Sequence, residues 1–149
     1  MAKLVSKVYG DALFEAAREA GRMDDMYEEV LELQKLLQAN EELQKMMENP
    51  KVIREDKENV IETVFRGRIS DEIVELMKLM IAKGRYSNIE SVFDYFIGLV
   101  KEEKKIGIAY VTTAVELTDG QKDEIVRRLL ETTRYESFEM NYAVDASLI

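Results

Sequence analysis

The 149-residue chain has no cysteine, no histidine, no tryptophan and a single proline. Without cysteine it can form neither a disulfide nor a zinc–thiolate site, and it offers no thiol nucleophile. Without histidine it lacks the usual base near neutral pH and the commonest metal ligand. The Glu-x-x-His ligand sets of carboxylate di-iron bundles are excluded for the same reason. Long apolar runs are missing too. The longest stretch free of charge is the ten residues Ile106–Val115, far short of the about 20 that span a bilayer as a helix. The N-terminus carries no apolar run of the signal-peptide kind. Positive charge is in the minority, with 21 Lys and Arg against 30 Asp and Glu for a net charge of −9. The two signs are interspersed throughout. With no segregated basic patch, neither nucleic acid nor direct membrane insertion is expected. Neither G-x-x-x-x-G-K-[ST] nor G-x-G-x-x-G occurs, so no phosphate cradle is signalled. This composition suits a soluble protein of a reducing compartment.

What is present is helical periodicity. Between Ile73 and Ala82 only Glu75 and Lys78 are charged, and Asp71, Glu75, Lys78 and Ala82 fall on one narrow strip. Ile73, Val74, Leu76, Met77, Leu79, Met80 and Ile81 cover the rest of the circumference. A helix so apolar must be surrounded by other elements, which makes it the central helix of a bundle. Ser70 is expected to cap its start and Gly84 to take the left-handed position after its end.

Five further helices fit around it. The first runs over about Lys3–Ala20, with Val5, Val8, Tyr9, Ala12, Leu13, Ala16, Ala17 and Ala20 on one stripe. Its alanines would let another helix approach closely. The second covers about Asp24–Gln38. A short piece capped by Asn40 follows and ends at Asn49-Pro50. The fourth spans Arg54–Phe65. Ser87 and Glu90 have capping-box spacing ahead of a sixth helix that ends in the polar run Lys101–Lys105. The expected fold is mainly α: a six-helix bundle over residues 1–105, then a small, incomplete α+β part over 106–149. In that second part Ile108–Val115 reads as a strand, Thr118 and Gln121 form a capping box, and Phe138–Val144 alternates as a half-buried strand. Two strands and one helix seldom make a stable domain, so this part is expected to be frayed or to lack strands.

Chemistry has few places to sit. Asp24, Asp25, Glu28, Glu29 and Glu32 line one side of the second helix. They could hold a divalent cation, but dedicated calcium loops need turn glycines and convergent oxygens, which favours a solvated face. Lys83-Gly84-Arg85 could grip an anion at a turn, or could simply end a helix with basic residues near its C-terminus. No catalytic residue, cofactor or metal ligand set is expected, and an acid/base enzyme using paired carboxylates is the least favoured reading. The methionines (Met23, Met26, Met46, Met47, Met77 and Met80 among them) sit on apolar faces. They fit either a core or an adaptable groove for a partner's amphipathic helix. Helices 1 and 5 would be the walls of such a groove.

Several segments together resemble one family. Tyr9-Gly10-Asp11-Ala12-Leu13-Phe14-Glu15-Ala16-Ala17 resembles the Y-A-x-A-L-F-E-A-A opening of the delta subunit of F-type ATP synthases, the oligomycin-sensitivity-conferring protein family. Asn49-Pro50 with Lys57, Ile61 and Phe65 resembles that family's N-P…K…F segment, and Leu76–Ile81 with Lys83-Gly84-Arg85 its L-x-x-x-x-x-N-G-R stretch. Thr112–Leu117 with Thr118 and Gln121 is similar to T-S-A-V-P-L-S-E-x-Q, and Val144–Ile149 to the start of V-D-x-S-L-I-G-G. Two departures stand out: Lys7-Val8 replaces an Arg-Pro pair, and Lys83 replaces the asparagine of N-G-R.

The resemblance implies a non-catalytic peripheral-stalk subunit on the cytoplasmic side of a bacterial inner membrane, within the F1 sector. It implies two partners: N-terminal segments of the alpha subunits of the catalytic head, and b-type stalk subunits. Holding the head against rotation would couple proton transport to ATP synthesis. It further implies that the alpha segments lie between helices 1 and 5, against Tyr9, Ala12, Leu13, Ala16, Leu76, Met77 and Met80. The stalk-side candidates are Val144, Asp145 and Ser147. The family pattern continues with two glycines, further strands and a helix, so a C-terminally shortened chain is expected. Core and groove positions share one periodicity, so every groove residue also fits plain bundle core. A generic helical adaptor with another partner is the alternative.

Overall fold

A computed structural model describes residues 2–148, with side chains from residue 3 onward; Ile149 of the last motif lies outside the described residues. The chain forms two compact units, Met1–Val100 and Lys101–Ile149. The first holds α1 (Ala2–Ala20), α2 (Met23–Ala39), α3 (Glu41–Glu48), α4 (Arg54–Phe65), α5 (Asp71–Ala82) and most of α6 (Ile89–Glu103). The division falls in the last turn of α6, whose side chains are engaged from downstream. Lys101 Nζ pairs with Glu139 at 2.5 Å, and Glu102 accepts from Arg134 at 2.9 Å.

The helix ends follow local chemistry. Gly84, at φ +71°, closes α5 with two bonds: its own N–H donates to Ile81 O at 3.0 Å, and the Arg85 N–H to Met80 O at 2.7 Å. That is the pattern of a left-handed C-terminal cap. Gly21 ends α1 the same way, with its N–H on Arg18 O and that of Arg22 on Ala17 O. Asn40 Oδ1 accepts from Leu43 N at 3.0 Å and caps α3. Lys57 Nζ donates to Met47 O at 2.8 Å and ties α4 to α3's last turn.

Two expected caps are replaced by tertiary contacts. Ser70 makes no side-chain cap on α5. Its Oγ donates instead to Glu29 Oε2 on α2, at 2.5 Å, and accepts from Arg22 at 3.1 Å. A cap needs Oγ as acceptor, and the charged Arg22 guanidinium, a stronger donor than a backbone N–H, occupies it. Ser87 lies within a 3₁₀ turn (Tyr86–Asn88), and Glu90 accepts from Gln34 and Gln38 of α2 rather than closing a capping box.

The core of this unit is built around α5. Ile73, Val74, Met77 and Met80 are completely buried, as are Phe93 and Phe96 of α6, Met26 and Val30 of α2, and Ile61 of α4. The strip of Asp71, Glu75 and Ala82 faces solvent, with Lys78 half-buried beside it. Leu79 departs from expectation, being 46% exposed. Arg66 joins α4 to α5 through Glu62 at 2.8 Å, Asp71 at 3.2 Å and Glu75. These bonds hold the Glu62 carboxyl below its ordinary pKa, Arg66 being the main cause and Lys78 adding to it.

The second unit is a strand–helix–strand: β1 (Ile106–Thr113), α7 (Asp119–Thr132) and β2 (Ser137–Val144). The strands pair in parallel from Ile106 opposite Ser137 to Thr113 opposite Val144. Parallel neighbours need a crossover, and α7 supplies it. Thr118 and Gln121 form the capping box that opens α7, as expected. Gly107 is buried beneath Phe138, where a Cβ would lie 2.4 Å from the ring, and Tyr135 meets Phe138 edge-on at 5.5 Å. The strands are fully paired rather than frayed, yet coverage is sparse. No residue of α7 is fully buried, and Tyr110 is 80% exposed. No described helix is long and apolar enough to cross a membrane.

Candidate partner-binding surface

The alanine stripe of α1 does not turn wholly inward. At about 100° per residue the buried arc runs from Tyr9 and Leu13 through Ala17 and Phe14. Beside it lies an exposed apolar band: Ala12, Val8 at 52% exposure and Leu4 at 61%, with Val5 and Ala16 half-buried along its border. α5 packs against α1 and has its own exposed apolar residue, Leu79. Single exposed leucines are ordinary, but several on one helix flank form a surface that a second helix can cover.

Polar contacts brace the C-terminal end of α5 against α1 and α4. Arg85, just past α5, donates to the Tyr9 hydroxyl at 3.0 Å and lies 5.8 Å from its ring centre. Arg54 donates to Ala82 O at 2.9 Å and satisfies a carbonyl at the α5 terminus. The basic residues of Lys83-Gly84-Arg85 thus belong to a helix end braced against α1. On the other side of α1, Gly10 admits the Tyr95 ring of α6, since a Cβ there would sit 2.4 Å from Tyr95 Cδ1.

The expected groove residues separate into two sets. Ala12 is exposed and Ala16 half-buried, so both offer surface. Tyr9, Leu13 and Leu76 are at most 7% exposed, and Met77 and Met80 expose nothing. In the chain alone those two methionines are part of the bundle core. Val8, Leu4 and Leu79 are candidate contacts that periodicity alone assigned to the interior or left out. The only available signal was that the apolar arc of α1 is wider than one neighbour can cover.

The stalk-side candidates end β2. Val144 is 57% exposed. Asp145 accepts from the Ser147 N–H at 3.0 Å and its hydroxyl at 2.6 Å, and these bonds lower its pKa. Asp145 and Ser147 share one turn after the strand that Val144 ends, with no convergent chemistry. The acidic side of α2 gathers no ligand set either: among the described residues no group of three or more carboxylates is placed to hold a metal. Its Glu29 serves the Ser70 and Arg22 contacts instead.

Comparison with known proteins adds a separate line of argument. The family profile described as ATP synthase delta (OSCP) subunit matches residues 5–149. The chain is 46% identical over 149 residues to the ATP synthase subunit delta of Lachnoclostridium phytofermentans, spanning all of this chain and 82% of that one. It is 30% identical over 145 residues to the subunit delta of Prochlorococcus marinus strain MIT 9301, across 97% of this chain and 81% of that one. Its fold is similar to that of a chain in the Toxoplasma gondii mitochondrial ATP synthase hexamer. There the TM-score is 0.73 at 20% identity, over 95% of this chain and 79% of that one.

Proposed function

From the premise that this chain belongs to the ATP synthase delta (OSCP) subunit family, whose members are structural and non-catalytic, we propose that it is a peripheral-stalk linker. One surface takes the amphipathic N-terminal segment of an alpha subunit of the catalytic head. The second unit, ending in Val144, Asp145 and Ser147, meets the b-type stalk. The linkage keeps the head from turning with the central shaft, so proton transport is coupled to ATP synthesis. The subunit then sits peripherally on the cytoplasmic face of a bacterial inner membrane.

The observation that supports this reading is the exposed apolar band of α1, with an exposed leucine, Leu79, on the neighbouring α5. Binding a helix here needs no rearrangement of the core. The floor is set by Tyr9 and Leu13, while Val8, Ala12, Ala16 and Leu79 make the contact.

Calorimetric titration with a synthetic alpha-subunit N-terminal peptide tests it. Saturable 1:1 binding is expected, and Val8→Glu or Ala16→Glu should weaken it at least about tenfold, by burying a charge in an apolar contact. Both variants should keep their helical circular dichroism. Unchanged affinity in a folded Val8→Glu protein would remove α1 from the site. No binding by the parent protein would leave a helical adaptor for a different partner.

A further inference from the structure

A second apolar surface, separate from the α1 flank, runs between α2 and α4. It is a groove of about 650 Å³. Leu33 and Phe65 floor it, Val64 and Ile69 are half-exposed along it, and Leu36, 46% exposed, forms a lip. From Glu28 to Leu36 the α2 wall is roughly 12 Å long, a little over two helical turns.

The α2 wall carries Glu28 and Glu32 one turn apart, with Lys35 beyond them. Glu28 has no ion-pair partner among the described residues. Glu32 has only Lys35, at 3.8 Å with both side chains about three-quarters exposed, an arrangement of little energetic consequence. Arg68 stands in the α4–α5 turn at one end of the groove, also without a partner among the described residues. That end adjoins the second turn of α2, because Ser70 in the same turn is bonded to Glu29.

We infer that this groove docks an amphipathic helix whose apolar stripe is flanked by lysine or arginine, lying antiparallel to α2 with its C-terminus at Arg68. Straight helical walls two turns long suit a helix. Carboxylates one turn apart match basic residues repeating at the same interval. Direction follows from Arg68: a docked helix presents its partly negative C-terminal carbonyls to it. The reverse orientation sets the positive end of the docked helix against the arginine. This inference does not rest on the α1 surface.

The test is a titration of the ¹⁵N-labelled chain with an amidated Leu/Lys helical peptide of about 16 residues (roughly 24 Å long), spin-labelled at its C-terminus. Saturable shifts are expected at Leu33, Leu36, Val64 and Ile69, with broadening strongest around Arg68. A Leu/Glu peptide of the same pattern should bind at least about tenfold more weakly, and Leu36→Asp should cost a similar factor. Because Leu36 and Glu28 are both exposed, Leu36→Asp and Glu28→Lys leave the fold intact. Shifts scattered over the acidic surface, equal binding of the two peptides, indifference to Leu36→Asp, or no binding would each overturn the site. Broadening centred on Leu36 would overturn the direction.

Discussion

Replacing Gly10 by alanine separates two opposing effects at a single atom. Gly10 lies in the interior of α1, where glycine is about 1 kcal/mol worse than alanine, so Gly10→Ala should stabilise an isolated helix. In the folded chain the added Cβ would lie 2.4, 3.1 and 3.3 Å from Cδ1, Cγ and Cβ of Tyr95. Carbon atoms in contact prefer about 3.5–4.0 Å, so the shortfall at the closest atom exceeds 1 Å. These are stem atoms of the tyrosine, not a flexible tip. Relief therefore requires a change in Tyr95 χ1 or separation of α1 from α6. Overpacking of this kind costs about 1–3 kcal/mol. Set against the gain in propensity, Gly10→Ala is expected to destabilise the bundle by about 1 kcal/mol. In a Tyr95→Ala background the ring is gone and only the Cβ contact at 3.3 Å remains, so the same change should stabilise by up to about 1 kcal/mol. Urea unfolding followed by circular dichroism at 222 nm reads both, and the reversal of sign is the diagnostic. If Gly10→Ala stabilises the parent protein, or the two changes prove additive, Tyr95 does not occupy the space above Gly10. The family's opening pattern has alanine at this position, so the glycine here goes with a close α1–α6 approach.

Other consequences are as specific. Glu62 has a lowered pKa in the folded state, so its contribution is full above its ordinary value of 4.5 and is lost as pH falls through the lowered one. The stability difference between the parent and Arg66→Met should therefore narrow on acidification below that value, measured by urea midpoints from pH 6 to pH 3. A difference that stays constant would mean that the Arg66–Glu62 pair does not govern the acid limb. Ser70→Ala removes a hydroxyl bonded to a partly buried carboxylate and should cost about 1.5–3 kcal/mol. A Ser70→Ala protein with an unchanged unfolding midpoint would show that the α2–α5 link carries no stability.

The sequence by itself determined the helices and most of the core. Apolar spacing placed α1, α2, α4 and α5 within a few residues. Gly84 marked the left-handed end of α5, and Thr118 with Gln121 opened α7, because these signals depend on neighbours within one or two turns. The motifs at Tyr9–Ala17 and Val144–Ile149 carried the family. Tertiary structure decided the rest. Val8 and Leu79 were placed by periodicity with the interior but stand in solvent, while Met77 and Met80 lost all exposure. Ser70 left its helix end for Glu29, and β1 and β2 paired in parallel around α7. Periodicity fixes which face of a helix is apolar. How much of that face is covered depends on where the neighbouring helices lie, and therefore on contacts between residues far apart in the chain.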